Sequence, residues 1–449
     1  MTPGARIEAT IELLEEIVSR AERPADLTAN AYFRNRRFIG SGDRRAVSER
    51  VWDILRRRGQ LGWWLARTGV RKPTPRALVA AHLILAERNA LADLDALFDG
   101  GRHRPMTFDE AEYAVLRALD GHTLDHPEQP DWVAANVPEW IAPHLAESYG
   151  PDWPREIAAL ETPAPVDLRV NRLKANTERA RGMLAKAGVD TEPTPFARDG
   201  LRLARRLSIV TSPAFEDGLV EIQDEGSQLV AALVDAKPGM QVVDYCAGAG
   251  GKTLAMAAGM ENKGRIVALD VLETRLDRSA QRLRRAGVHN VERRTLDEES
   301  RKWLKRRGGA FDRVLVDAPC TGTGTWRRNP DGRWSLQPVD LEELVPKQAA
   351  ILDAAQRLVK PGGRLVYATC SVLAPENERQ AEAFLSRHPD FEAVPVGTLL
   401  GEVLREGATL SLPEGPWLRL SPRQHGTDGF FAAVFQRRGE AAAEPEIAA

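Results

Sequence analysis

Cysteine is scarce in this chain. Three residues in 449 are an odd number too small to staple a fold. A disulfide-built secreted scaffold is thereby excluded, and free thiols in a reducing compartment are expected, which places the protein in the cytoplasm. Long apolar runs are missing as well, so neither a membrane-spanning helix nor a membrane partner is expected. Glu8, Glu12, Glu15 and Glu16 sit among the apolar residues of the first turns. That pattern suits an amphipathic helix and neither a signal nor a transit peptide. No cysteine–histidine cluster has ligand spacing, so no metal is expected. Strong net charge is also missing, because 62 Lys and Arg against 64 Asp and Glu leave −2.

What is present is ordinary core material, 43% hydrophobic residues, in a chain too long for one core. Two or three domains follow. The charge is unevenly spread. Between Arg34 and Arg76 thirteen basic residues face only Asp43, Glu49 and Asp53. Tyr32, Phe33, Trp52, Trp63 and Trp64 are interleaved with them, a mixture suited to phosphate contact and base stacking. The competing reading is a solvated helix face with its aromatics in the core.

The first 145 residues read as an all-α bundle. Val47, Val51, Ile54 and Leu55 recur at helical spacing, Thr74 and Pro75 start a helix, and Thr107 with Glu110 forms a capping box. Residues 146–215 read as a small α/β bridging subdomain, with strands at 166–170 and 200–207 and a helix at 177–187. Its Arg169, Asn171, Arg172 and Lys174 are either RNA contacts or surface charge. From 216 to 438 strands at 241–245, 265–269, 313–316 and 364–368 alternate with helices such as 273–285 and 340–359. This predicts a doubly wound parallel sheet, with a late strand at 430–435. The Ala- and Glu-rich tail, 439–449, is expected to be disordered.

The three cysteines fall in DYCAGAGGKT, DAPCTGTG and YATCS, each closing an expected strand. Strand ends of an open α/β sheet are where ligands bind, so Cys320 and Cys370 are expected to face one pocket. Cys246, Ala247, Gly248, Ala249, Gly250, Gly251 and Lys252 form a glycine-rich turn into a helix, and Asp270 ends the next strand, where a carboxylate can accept ribose hydroxyls. NAD and S-adenosylmethionine would share that carboxylate. GAGGKT fits the dinucleotide pattern GxGxxG poorly, and it lacks the spacing of a phosphate-binding GxxxxGKT loop.

DYCAGAGGKT, ALDVLETRL, the Asp297 region, LVDAPCTGTGTWRRNPD, LVYATCSVLAPENE and TDGFFAAVF follow the order and spacing of the RsmB/NOP family of RNA cytosine-5 methyltransferases, which the chain resembles from Tyr245 to Phe435. Where the family usually carries Ala-Pro, this chain has Gly248-Ala249. The resemblance implies a Rossmann-like class I methyltransferase domain that binds S-adenosylmethionine through the 246–252 turn, Asp270, Asp297 and Asp317. Carbon 5 of cytosine is too weak a nucleophile to take a methyl group unaided, and addition of a thiolate to carbon 6 activates it. DNA cytosine methyltransferases place that nucleophile in Pro-Cys, matched by Pro319-Cys320; the RNA family uses Thr-Cys, matched by Thr369-Cys370. By this analogy Cys370 is the nucleophile and Cys320 aids release. Asp317 holds the cytosine edge, as hydrogen-bond acceptor or, protonated, as donor, and Lys252 orients it. Arg327, Arg328 and Arg333, with Trp326 and Trp334, are expected to grip phosphates and stack bases.

SGDRRAVSERVWDILRR resembles NusB-like RNA-binding domains, and NVPEWIAPHLAESYG with DLRVNRL resembles the RsmB/Sun/Fmu branch. Small-subunit ribosomal RNA, in a single-stranded or loop region, is the implied substrate. DNA is not an expected partner, and the protein is expected to be a monomer. Transfer RNA or another ribosomal site, a non-catalytic assembly factor and a nicotinamide oxidoreductase are the competing readings.

Overall fold

The computed structural model describes residues 1–20 and 23–439, so the tail expected beyond Gly439 lies outside the described residues. Two compact units emerge: Met1–Thr162 with Trp326–Pro338, and Pro163–Thr325 with Val339–Ala449. Among the described residues no helix is long and apolar enough to cross a membrane.

The first unit is helical. Pro3–Ser19, Ala25–Asn35, Ser41–Arg56, Arg58–Arg67, Pro75–Leu85 and Glu110–Leu119 are its main helices. Val47, Val51, Ile54 and Leu55 are buried as their spacing requires, together with Leu13, Leu14, Leu61 and Val79. Thr74 caps its helix by accepting from Ala77 N, with Pro75 at the first position. The capping box lies two residues later than expected: Asp109 accepts from Glu112 N, and the Glu112 carboxylate accepts from Asp109 N. Asp109 is the better cap because its short carboxylate reaches the free amides and favours the positive helix end.

The aromatics of the basic stretch are core, not stacking platforms. Tyr32, Phe33 and Trp64 are buried, Trp52 and Trp63 pack against the same cluster, and Trp64 Nε1 donates to Leu124 O at 3.0 Å. The excursion Trp326–Pro338 corrects a second expectation. Trp326 is 1% and Arg333 0% exposed, and Arg327 is also buried. Arg333 donates to Asn136 O at 3.0 Å and meets Glu161 at 3.4 Å, while Trp334 Nε1 donates to Leu55 O at 2.7 Å. Burial pulls the Arg333 guanidinium down to about 10, against the pull of Glu161. Arg333 and Trp334 are thus structural, because each gives a hydrogen bond to a backbone carbonyl of the helical unit, and Trp326 is structural because it is buried under the Arg333 guanidinium.

In the second unit, β1 (Asp167–Val170), β2 (Thr191–Pro193), β3 (Gly200–Leu203) and β4 (Val220–Ile222) form an antiparallel sheet in the order β2-β3-β1-β4. Helix Thr177–Lys186 buries Ala180 and Leu184 in the cluster built around this sheet. The large sheet comprises β5 (Gln241–Asp244), β6 (Arg265–Asp270), β7 (Val291–Thr295), β8 (Phe311–Asp317), β9 (Val359–Thr369), β10 (Phe391–Val394), β11 (Leu418–Leu420) and β12 (Phe430–Arg437). Its order is β10-β12-β9-β8-β5-β6-β7, with β11 pairing β12. The five strands from β9 to β7 are parallel, but β12 runs antiparallel to β9 and β10 to β12, so the sheet is mixed. An expected helix shortens too: Pro338–Ala355 ends four residues before 359, where β9 begins. Val242, Val243, Val314, Leu315, Val316, Val366 and Tyr367 are fully buried, as central strands covered on both faces must be.

Candidate active site

The carboxyl ends of β5, β6, β8 and β9 carry the candidate residues. Beyond β5 the chain turns through Cys246 to Gly250, with Gly248 at φ +54° and Gly250 at φ +79°, and enters helix Gly251–Gly259. A Cβ on Gly250 would lie 3.0 Å from Ser279 Cβ, so both the backbone conformation and the packing call for glycine here. Asp270, buried at the end of β6, accepts from Gly248 N at 2.9 Å and Leu272 N at 2.8 Å. Its carboxylate therefore fixes the turn on one side and its own loop on the other.

Two arginines hold the turn's carbonyls. Arg282 donates to Ala249 O at 2.7 Å and Arg169 to Gly251 O at 2.9 Å. Arg169 is buried, and desolvation with the nearby Arg282 charge lowers it to about 9. It belongs to β1, so the small sheet braces the glycine turn. Asn171 is likewise spent on Gly218 O and Ala286 O, and Lys174 on Asp217 O and Arg285 O. Arg169, Asn171 and Lys174 therefore act as internal struts, while Arg172 lies 3.8 Å from Asp199. The sequence offered no local signal for this, since the partners are backbone carbonyls remote in the chain.

Lys252, nearly buried in the first helical turn, places Nζ 2.6 Å from Asp317 Oδ2 at the end of β8 and 5.6 Å from the Phe430 ring centre. Burial disfavours its charge, but the Asp317 carboxylate outweighs that, and Cys370 is close enough for a charge on its sulfur to be felt there. Asp244 was missed. Fully buried, it accepts from Thr253 Oγ1 at 2.6 Å, while Oδ1 has no hydrogen-bond partner among the described residues. Burial pushes it up to about 7; the Thr253 bond opposes this, and Asp317 adds to it. Burial, reinforced by Asp244, Asp317 and Asp270, also pushes the Cys246 thiol up, so this cysteine is a neutral wall of the turn. Asp297 is exposed and caps helix Glu298–Lys305 by accepting from Ser300 N at 2.8 Å. It stands at the same sheet edge as Asp270, whose carbonyl receives Leu296 N, but no hydrogen bond joins it to the turn among the described residues.

Cys320 and Cys370 are brought together with Sγ 3.5 Å from Sγ. Their loops interlock: Gly324 N donates to Cys370 O, Gly429 N to Gly324 O, and Val372 N to Thr323 Oγ1 at 2.9 Å. A Cβ on Gly324 would come 2.1 Å from Gly429 O, so this backbone crossing admits only glycine. The hydrogen bond between Cys320 and Cys370, then burial, then the charges of Cys370 and Glu376 raise the Cys320 thiol. Cys320 is thereby held as a thiol. Glu376 and Gln348 also escaped the sequence reading; both are buried beneath this loop pair.

The chain is similar to known RNA methyltransferases. Residues 231–436 match the family described as 16S rRNA methyltransferase RsmB/F, and residues 137–210 match its ferredoxin-like domain. Ribosomal RNA small subunit methyltransferase B of Pectobacterium atrosepticum is 36% identical over 296 residues, 66% of this chain and 65% of that protein. The chain thus aligns with less than two-thirds of that relative's length. The crystal structure of PH0851 is 28% identical with a TM-score of 0.78, covering 97% of this chain and 99% of that one. A methyltransferase homologue from Pyrococcus horikoshii is 32% identical with a TM-score of 0.58, covering 68% of this chain and 97% of that one.

Proposed function

The chain belongs to the RsmB/F methyltransferase family, and from that premise we propose that it methylates carbon 5 of a cytosine in small-subunit ribosomal RNA through a covalent cysteine adduct. The family's cofactor is S-adenosylmethionine, which supplies a methyl group on a sulfonium. The residues fit it: a glycine turn a Cβ would obstruct, a buried Asp270 able to take ribose hydroxyls, and a buried, unpartnered Asp244 oxygen.

The observation that carries the reading is the thiol pair, 3.5 Å apart and close to the Lys252–Asp317 ion pair. Cys370 adds as a thiolate to carbon 6, and the displaced electron pair makes carbon 5 nucleophilic enough to take the methyl group. Asp317, ion-paired with Lys252, serves as acceptor for the exocyclic amine rather than as an acid donating to the ring. Once Cys370 is bonded to carbon 6, the largest of the influences that hold Cys320 protonated is gone. Cys320, its own proton lost to solvent, then takes the carbon-5 proton; the electron pair re-forms the 5,6 double bond and expels Cys370.

The helical unit is read as the NusB-like RNA-binding module. Asn30, Phe33, Arg34, Arg37 and Arg44 line a cavity of about 540 Å³ with no carboxylate among them. Arg36, Arg50, Arg57, Arg67 and Arg76 are neutralised by acidic partners, whereas Arg34 and Arg37 have no ion-pair partner among the described residues. Phe38 beside them is 79% exposed. Uncompensated guanidiniums next to an open aromatic suit phosphate contact and base stacking. The protein is read as a cytoplasmic monomer.

Bisulfite sequencing of ribosomal and transfer RNA from a deletion strain, complemented with wild type or Cys370→Ala, tests the proposal. Loss of one ribosomal cytosine mark, restored by wild type alone, is the expected result. Full restoration by Cys370→Ala would overturn the mechanism, and loss of a transfer RNA mark would overturn the substrate.

A further inference from the structure

We propose that Glu376 is a positioning residue that holds Cys320 for product release, and that its neighbour Asn377 does the corresponding work for Cys370 in adduct formation. The proposal rests on the cytosine-5 reading above and goes beyond it, because it divides the two half-reactions between two adjacent side chains.

Glu376 is fully buried, and no cation pairs with it among the described residues. A buried carboxylate without a counter-charge is costly unless hydrogen bonds replace its water. Three donors do so. Thr321 N and Gln348 Nε2 reach Oε1 at 2.9 Å each, and Thr321 Oγ1 reaches Oε2 at 2.5 Å. The same Gln348 amide donates to Pro319 O at 3.0 Å. Pro319 and Thr321 flank Cys320, so the peptides on both sides of that cysteine are tied to one carboxylate and one amide.

Glu376 itself is anchored on the other cysteine's side. It follows Cys370 by six residues, and its carbonyl accepts from Tyr367 OH, on β9, at 2.6 Å. Asn377 grips both neighbours of Cys370: it accepts from Thr369 Oγ1 at 2.5 Å and donates to Ser371 O at 3.0 Å. The Glu376 carboxylate bonds directly to the Cys320 loop, through Thr321 and Gln348, and Asn377 bonds directly to both neighbours of Cys370; Thr321 Oγ1 to Ser371 Oγ, at 3.3 Å, links the two loops. A displaced Cys320 leaves carbon 6 open to attack but delays removal of the carbon-5 proton. A displaced Cys370 prevents the adduct from forming. Misplacing a reacting group by about 1 Å costs on the order of a hundredfold in rate.

The test follows covalent protein–RNA species on denaturing gels, together with methyl transfer to a small-subunit ribosomal RNA transcript, for wild type, Cys320→Ala, Glu376→Gln, Asn377→Ala and Thr321→Val. Thr321→Val removes the hydroxyl contact to Glu376, with the longer ones to Thr323 Oγ1 and Ser371 Oγ, and spares the buried carboxylate's other bonds. Glu376→Gln is expected to lower turnover about tenfold to a hundredfold while adduct accumulates, as in Cys320→Ala, with cofactor affinity unchanged. Thr321→Val should do the same more weakly, and Asn377→Ala should yield neither adduct nor product. If Glu376→Gln is too unstable to assay, Thr321→Val carries the same comparison. Adduct and product that fall together in both variants, or unchanged turnover, would overturn the proposal. Failure of Cys320→Ala to accumulate adduct would instead sink the release role of Cys320, and this inference with it.

Discussion

Two stretches of this chain look alike on paper: 30–44 and 326–334 both mix arginine with large aromatics. In the first, Arg34 and Arg37 reach solvent without a counter-charge and Phe38 stands open. In the second, Trp326 and Arg333 are buried and Trp334 is hydrogen-bonded to Leu55 O. Composition is shared, yet Arg34, Arg37 and Phe38 are exposed where Trp326 and Arg333 are buried. The difference lies in what each guanidinium finds nearby: Arg333 meets a carbonyl 197 residues away and a carboxylate 172 residues away, which local sequence cannot announce. An arginine tract is therefore a nucleic-acid surface only where its charges stay uncompensated.

The largest test of that contrast is Arg333→Ala. It leaves Glu161, whose carboxyl burial already pushes up, without its cationic partner. Removing one member of a buried ion pair costs about 3–5 kcal/mol. A marked fall in melting temperature is expected, and a melting curve within a degree of wild type would contradict the structural role. Arg34→Ala with Arg37→Ala should act the other way round. Melting is unchanged, RNA affinity falls roughly tenfold per guanidinium lost, and the dependence of log affinity on log salt becomes shallower by about 0.7 per lost contact. Arg67→Ala with Arg117→Ala, which removes the same charge from ion-paired positions, is the control. Equal losses in the two pairs would reduce the cavity to generic charge.

The unit that carries the large sheet was far more legible than the helical unit. Strand ends at Asp270, Asp317 and Cys370 could be read because a central strand is an apolar run and a turn is a glycine cluster, both local features. β7 escaped notice because Val291–Thr295 carries Glu292, Arg293 and Arg294, charges that an edge strand tolerates and a central strand does not. Arg282, Gln348, Glu376 and the bracing role of Arg169 escaped for another reason. Their work is to bind backbone or side chains far along the chain, and a residue type alone does not say whether its polar atoms face water or a remote carbonyl.

The smallest effects sharpen the contrast most, because they separate stacking from hydrogen bonding with one aromatic from each stretch. Phe38→Ala should weaken RNA binding by about 1–3 kcal/mol, the worth of one stacked base, without moving the melting temperature. Trp334→Phe keeps the ring but removes the indole N–H that serves Leu55 O at 2.7 Å. It should cost about 1 kcal/mol of stability and leave RNA affinity intact. Calorimetric melting and fluorescence titration with the same transcript read both quantities. Should Trp334→Phe lose RNA affinity while Phe38→Ala does not, the assignment of the two stretches would have to be exchanged.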